Sequence, residues 1–156
     1  VISVSILLLL VAASYYSRML SIAGLPNAIA SLVNETGLGP MGFMVLCAGL
    51  ILLMGMILDS TSILLIMVPI AAPIAQSMGI DLSQFGIAIV IAVEIGLLTP
   101  PLGLAVYVVH STLNRPDISL KEIFAGSAPF ALAMLFALIL IIAFPSLSTF
   151  LVHAMK

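Results

Sequence analysis

Charge is what this chain lacks most. Of 156 residues, four are basic and six acidic, 6% of the whole, with a net charge of −2. Soluble domains carry about 25% charged residues, and a soluble chain of this size would lack the polar surface to cover its core. No basic patch exists to hold nucleic acid, and the net charge is too small to imply anionic lipid partners. The single cysteine, Cys47, excludes a disulfide or cysteine metal framework. The chain offers no Ser/His/Asp set, no Cys/His metal spacing and no glycine-rich phosphate loop. No paired acids or nucleophile–base set points to an enzyme either.

What is present is apolar. Hydrophobic residues make up 63% of the chain, and the mean hydropathy is +1.41. The charges (Arg18, Glu35, Asp59, Asp81, Glu94, Arg115, Asp117, Lys121, Glu122 and Lys156) bound uncharged runs at 3–17, 36–58, 60–80, 95–114 and 123–155. Several reach the roughly 20 apolar residues that a helix needs to cross a bilayer. The fold class is therefore an all-α integral membrane protein in contact with lipid. Val1 is not a methionine and an apolar run begins at once, which predicts a piece of something longer.

The pattern predicts a transmembrane helix over 1–20, with Tyr15, Tyr16 and Arg18 as interface anchors. A connector follows over 21–40, containing Pro26 and broken by Gly37, Gly39 and Pro40. A helical hairpin is expected over 41–79 with its tip near 59–61, then a broken transmembrane helix over 81–114 and a last transmembrane helix over 125–145. Gly79 suits a helix C′ position. Asp81 can cap the Gln84 N–H, and Ser119 with Glu122 forms a capping box, Ile118 and Ile123 being its staple. Residues 115–122 are the most charged segment and read as a surface loop. The nine methionines read as packing, and His110 as an interface residue.

Two interruptions carry the functional signal. Asp59-Ser60-Thr61-Ser62 lies inside a long apolar stretch, where an Asp costs about 2.5–3.5 kcal/mol. Asp, Ser and Thr are N-cap residues, so one helix can end at Leu58 and a second start near Thr61. Such a tip exposes carbonyls from one arm and N–H groups from the other, and these must face protein or a wet cavity. The alternative is a plain loop between two full spans. The second interruption is Gly96-Leu-Leu-Thr-Pro-Pro-Leu-Gly103. Pro100 and Pro101 lack the N–H groups that would bond the Gly96 and Leu97 carbonyls. Pro101 is expected near the first turn of the half-helix that follows. Gly96 and Gly103 permit close approach of a neighbouring chain or a ligand. A broken helix offers oxygen ligands to a hard cation such as Na⁺ and N–H donors to an anion, the usual device of secondary transporters. The alternative is a structural proline kink. Glu94 can hold a proton, pair with a cation or bond a neighbouring helix.

The stretch Gly55-Met-Ile-Leu-Asp-Ser-Thr-Ser-Ile-Leu-Leu-Ile-Met-Val-Pro69, then Gly79-Ile-Asp81, Phe85-Gly-Ile87 and Glu94-Ile-Gly-Leu-Leu-Thr-Pro-Pro-Leu-Gly103, carries a resemblance. It resembles the C-terminal part of the large membrane subunit of TRAP (tripartite ATP-independent periplasmic) transporters. The likeness covers 1–145 and is strongest over 55–103. The resemblance implies sodium-driven import of small organic acids, carboxylates or sialic acid, across the bacterial inner membrane. It implies a soluble periplasmic binding protein and a small membrane subunit as partners, and no cofactor besides Na⁺ as coupling ion. It also implies an inverted repeat with re-entrant hairpins and broken helices, moving as an elevator, of which this chain supplies one half. On that likeness the sodium ligands are Asp59, Ser60, Thr61, Gly96, Leu97 and Thr99. The substrate residues are Thr61, Ser62, Pro100, Pro101 and Gly103, with Glu94 a further candidate. The Arg115-Pro-Asp-Ile-Ser119 connection departs from the more glycine-rich one of the family, outside the binding elements. A pseudo-symmetric site needs both halves, so this piece alone is not expected to transport. Alternatives are a single-component ion-coupled anion or dicarboxylate symporter and a non-transporting structural membrane subunit. A channel would need a continuous polar lining, and the chain shows isolated polar spots instead.

Overall fold

The computed structural model describes residues 2–35, 37, 39–113, 115 and 117–154. Val1, where the first expected helix begins, and Asn114, at the expected end of the broken helix, lie outside the described residues. So do Thr36 and Leu38 of the connector and Pro116 of the charged loop. The described residues form eight helices and no strand: α1 (Ile2–Ile22), α2 (Leu25–Glu35), α3 (Pro40–Gly55), α4 (Ser60–Ser77), α5 (Leu82–Leu98), α6 (Leu104–Leu113), α7 (Leu120–Ala143) and α8 (Pro145–Ala154).

Local chemistry explains most boundaries. Pro40 opens α3 at a first-turn position, where its missing N–H costs nothing. α4 closes in a Schellman turn: the Ile80 N–H donates to the Ala75 carbonyl (3.0 Å) and the Gly79 N–H to that of Gln76 (3.1 Å). That turn needs a left-handed residue, and Gly79 supplies it with φ +76°. The Asp81 carboxylate then accepts from the N–H groups of Ser83 (2.7 Å) and Gln84 (3.3 Å) and starts α5. At α7 the Glu122 N–H donates to Ser119 Oγ (3.3 Å), while Glu122 Oε2 accepts from the Ser119 N–H (2.7 Å), the expected reciprocal box.

The core lies between α3 and α5. Phe43, Met44, Cys47, Ala48 and Ile51 are buried on one face of α3, spaced three and four apart as one helical stripe requires. Phe85, Ala88, Ile89, Ala92 and Val93 face them from α5, and the Phe43 and Phe85 rings stack with centroids 6.4 Å apart. α5 also packs on α7, while α1 and α2 pack on α4.

One polar contact ties this core to the end of the chain. Pro145 has no N–H for the Ile141 carbonyl four residues back. Gln84, buried in α5, supplies the donor: its Nε2 lies 2.9 Å from that carbonyl oxygen.

Polarity does not separate inside from outside. Val45, Leu50 and Leu53 are exposed on α3, as are Phe130, Leu132, Phe136 and Ile139 on α7. Ser60–Ser77 and Leu120–Ala143 are long and apolar enough to cross a membrane, whereas α3, α5 and α6 are apolar but shorter. Apolar surface that water would penalise is at home against lipid.

Candidate functional site

The hairpin tip comes first along the chain. α3 stops at Gly55, three residues before the Leu58 expected from sequence. The chain leaves the helix through a tight turn, in which the Met56 N–H reaches the Leu52 carbonyl (3.3 Å) and the Ile57 and Leu58 N–H groups share that of Met54. The last carbonyls of the first arm are thus partly satisfied within the tip. Asp59 is extended (φ −74°, ψ 159°) and caps α4. Its Oδ2 accepts from the Ser62 N–H (3.0 Å) and its Oδ1 from Ser62 Oγ (2.6 Å). Asp59 and Thr61 are exposed, Ser60 and Ser62 half-buried.

The second break is wider than the sequence suggested. α5 ends at Leu98 and α6 begins only at Leu104, so Pro101 lies in the connecting turn and not in the first turn of α6. Gly103 accounts for the delay. Its φ of +51° is left-handed, and helical backbone resumes only after it. The Gly96 carbonyl, deprived of its partner by Pro100, accepts from the Thr99 N–H at 3.0 Å. The Thr99 hydroxyl donates to the Ile95 carbonyl at 2.6 Å. Each of these oxygens keeps a second lone pair that can turn to a cation. The Pro100–Pro101 peptide bond is cis.

The two breaks meet through backbone. α3 crosses α5 at Gly55 and Gly96. A methyl group on Gly96 would stand 2.7 Å from Gly55 Cα and 2.7 Å from the Leu52 carbonyl oxygen. One on Gly55 would stand 2.8 Å from Gly96 Cα. Asp59 lies four residues beyond this crossing and Thr99 three, so both breaks leave from one point.

The polar side chains line two different cavities. Ser60 and Thr61 line a hollow of about 600 Å³ with Ser14, Leu64, Pro69 and Gln76, between α1 and α4. Thr99 and Pro100 line another of about 410 Å³, with Leu52, Phe124 and Leu132. Leu97 is half-buried; Glu94, Pro100 and Pro101 are exposed. Gly103 is buried under α7, and a methyl group there would meet the Phe124 ring at 2.6 Å. Among the described residues no three His, Cys, Asp or Glu side chains converge on a point. Oxygen ligands for a cation at this crossing would therefore come from hydroxyls, carbonyls and the lone Asp59. That is a donor set for a hard ion.

Sequence reasoning marked Gly96 and Gly103 as places of close approach. It missed what approaches them, Gly55 and Phe124, since nothing in a sequence tells which distant helix will cross. It also placed Gln84 only at a cap, although its buried amide serves α7.

The family model of the tripartite ATP-independent periplasmic transporter, DctM component, matches residues 1–147. The chain belongs to this family. It is 32% identical over 146 residues to the C4-dicarboxylate TRAP transporter large permease protein DctM of Pseudomonas aeruginosa, covering 94% of this chain and 34% of the relative. It is 29% identical over 143 residues to the sialic acid TRAP transporter permease protein SiaT of Haemophilus influenzae, covering 92% and 23%. The ectoine/5-hydroxyectoine TRAP transporter large permease protein UehC of Ruegeria pomeroyi is 29% identical over 146 residues, covering 94% and 33%. The chain thus spans about a third or less of the length of these relatives. The TRAP large permeases are all-α membrane proteins and transporter components, not a class of enzymes.

Proposed function

We propose that this chain is the C-terminal part of the large permease of a sodium-coupled importer of small organic acids. It works in the bacterial inner membrane with a small membrane subunit, and a soluble periplasmic binding protein delivers the substrate. The hairpin α3–α4 re-enters from one side, and the α5–α6 break faces its tip. Together they form one half of an inverted repeat that moves as an elevator. Sodium is held by oxygens of Asp59, Ser60, Thr61, Gly96, Leu97 and Thr99. The substrate lies beside it against Thr61, Ser62, Pro100, Pro101 and Gly103, completed by a second repeat. Glu94 is a further candidate for the ion.

The observation that carries this reading is the Gly55–Gly96 crossing, from which both interruptions leave. Two broken elements that leave one crossing suit a shared site, since helix-end dipoles and freed carbonyls are what secondary transporters use to hold ions and anions. The relatives named above are permeases for a C4-dicarboxylate, sialic acid and ectoine. All three compounds carry a carboxylate, which suits a helix N-terminus.

The full-length parent protein, reconstituted in vesicles, tests the reading. Uptake of a labelled organic acid should need both an inward sodium gradient and the binding protein. Sodium-driven uptake without the binding protein would instead support a single-component symporter. Absence of uptake under every condition would leave a structural subunit.

A further inference from the structure

We infer that Gly55, outside every ligand set named above, is a positioning residue that sets sodium affinity through its backbone contact with Gly96. This role rests on the sodium-coupled reading.

The geometry is reciprocal. The Leu52 carbonyl oxygen stands 2.7 Å from where a Gly96 methyl would be, and the Val93 carbonyl oxygen 3.1 Å from where a Gly55 methyl would be. The remaining close atoms are Cα and carbonyl carbon of the facing glycine. These are backbone atoms, so no side chain can rotate aside to admit a methyl group; the helices themselves must part.

Position along the chain gives the contact its consequence. Gly55 is the last residue of α3, immediately before the tip turn, and Gly96 lies in the last turn of α5. The Leu52 carbonyl that overlies Gly96 also accepts from the Met56 N–H in that turn. Parting the helices at Gly55 therefore moves Asp59 away from the Gly96 and Thr99 oxygens, while every proposed ligand atom is retained. Two other glycines of the same helices provide the contrast. A methyl group on Gly49 in α3 or on Gly86 in α5 would have no atom within 4 Å, so alanine fits at both places.

The test is a sodium titration of uptake by the full-length transporter with its binding protein, normalised to the amount of permease in the vesicles. Gly55→Ala should raise the half-saturating sodium concentration by about tenfold or more, with maximal uptake at saturating sodium largely kept. Gly49→Ala and Gly86→Ala should stay within about twofold of the parent. A Gly55→Ala protein with lower abundance or lower maximal uptake but unshifted sodium half-saturation would make the contact merely structural and overturn the inference. Should Gly55→Ala not insert, spin labels on cysteines at the exposed Leu53 and Val90 positions, in a Cys47→Ala background, read the crossing with both glycines in place. One separation, unaltered by sodium, is expected of a preset junction; a separation that shifts when sodium is added overturns it. Parent uptake indifferent to sodium would sink the sodium reading itself. Sodium-dependent parent uptake with an unshifted Gly55→Ala would sink only the positioning role.

Discussion

The two interruptions reach a similar end by different means. The tip at Asp59 is made by a side chain: one carboxylate caps α4 and holds Ser62 through both its oxygens. The break at Thr99–Gly103 is made by the backbone. Two prolines withhold N–H groups, Gly103 takes a left-handed φ, and the Phe124 ring closes over it. A side-chain device can be weakened in steps, whereas a backbone device fails as a whole. The break should therefore tolerate less change than the tip.

Substitutions in the full-length protein sharpen or break that comparison. Pro100→Ala combined with Pro101→Ala returns both N–H groups and should abolish uptake, by letting α5 run into α6. Normal uptake in that variant would mean that the break has only a structural role. Gly103→Ala forces a left-handed non-glycine residue, costing roughly 1–3 kcal/mol, and pushes on Phe124. The variant should melt clearly earlier in detergent, and adding Phe124→Ala should relieve the contact part of that loss. If the two single losses simply add in the double variant, the ring is not what Gly103 yields to.

Gln84→Leu tests a third backbone gap, the one that Pro145 leaves at Ile141. With its donor gone the half-buried Ile141 carbonyl loses its partner, at a cost of up to about 1–3 kcal/mol. A melting temperature equal to the parent's would show that another donor fills the gap. At the tip, Asp59→Ala removes a cap worth about 1 kcal/mol and should raise the sodium needed for half-maximal uptake. Asp59→Asn, which keeps a capping oxygen, should recover stability without recovering sodium affinity. Equal recovery of both by Asn would reduce Asp59 to a cap.

Much of the fold was legible because its signals are local. The Asp81 cap, the Ser119–Glu122 box and Gly79 each act within a few residues, and each appears where the sequence put it. Short-range punctuation was less exact where several breakers compete. α3 stops early because the tip needs its own turn before Asp59, and α6 starts late because Gly103 must come first. Illegible were the contacts between distant segments: Gly55 on Gly96, Phe124 on Gly103, and Gln84 on Ile141 across 57 residues. Glycine, phenylalanine and glutamine at those positions fit many roles, and only the crossing of helices selects one. The separation of Ser60 and Thr99 into two cavities is equally a matter of packing, invisible to spacing along the chain.

The central claim is that the tip and the break serve one ion. A double-mutant cycle on sodium half-saturation tests it most directly, using Asp59→Asn, Thr99→Val and the pair in the reconstituted full-length transporter. Groups that bind one ion are coupled, so the paired variant should shift sodium affinity by clearly less than the product of the two single shifts. Shifts that multiply would place Asp59 and Thr99 at independent sites and contradict the account.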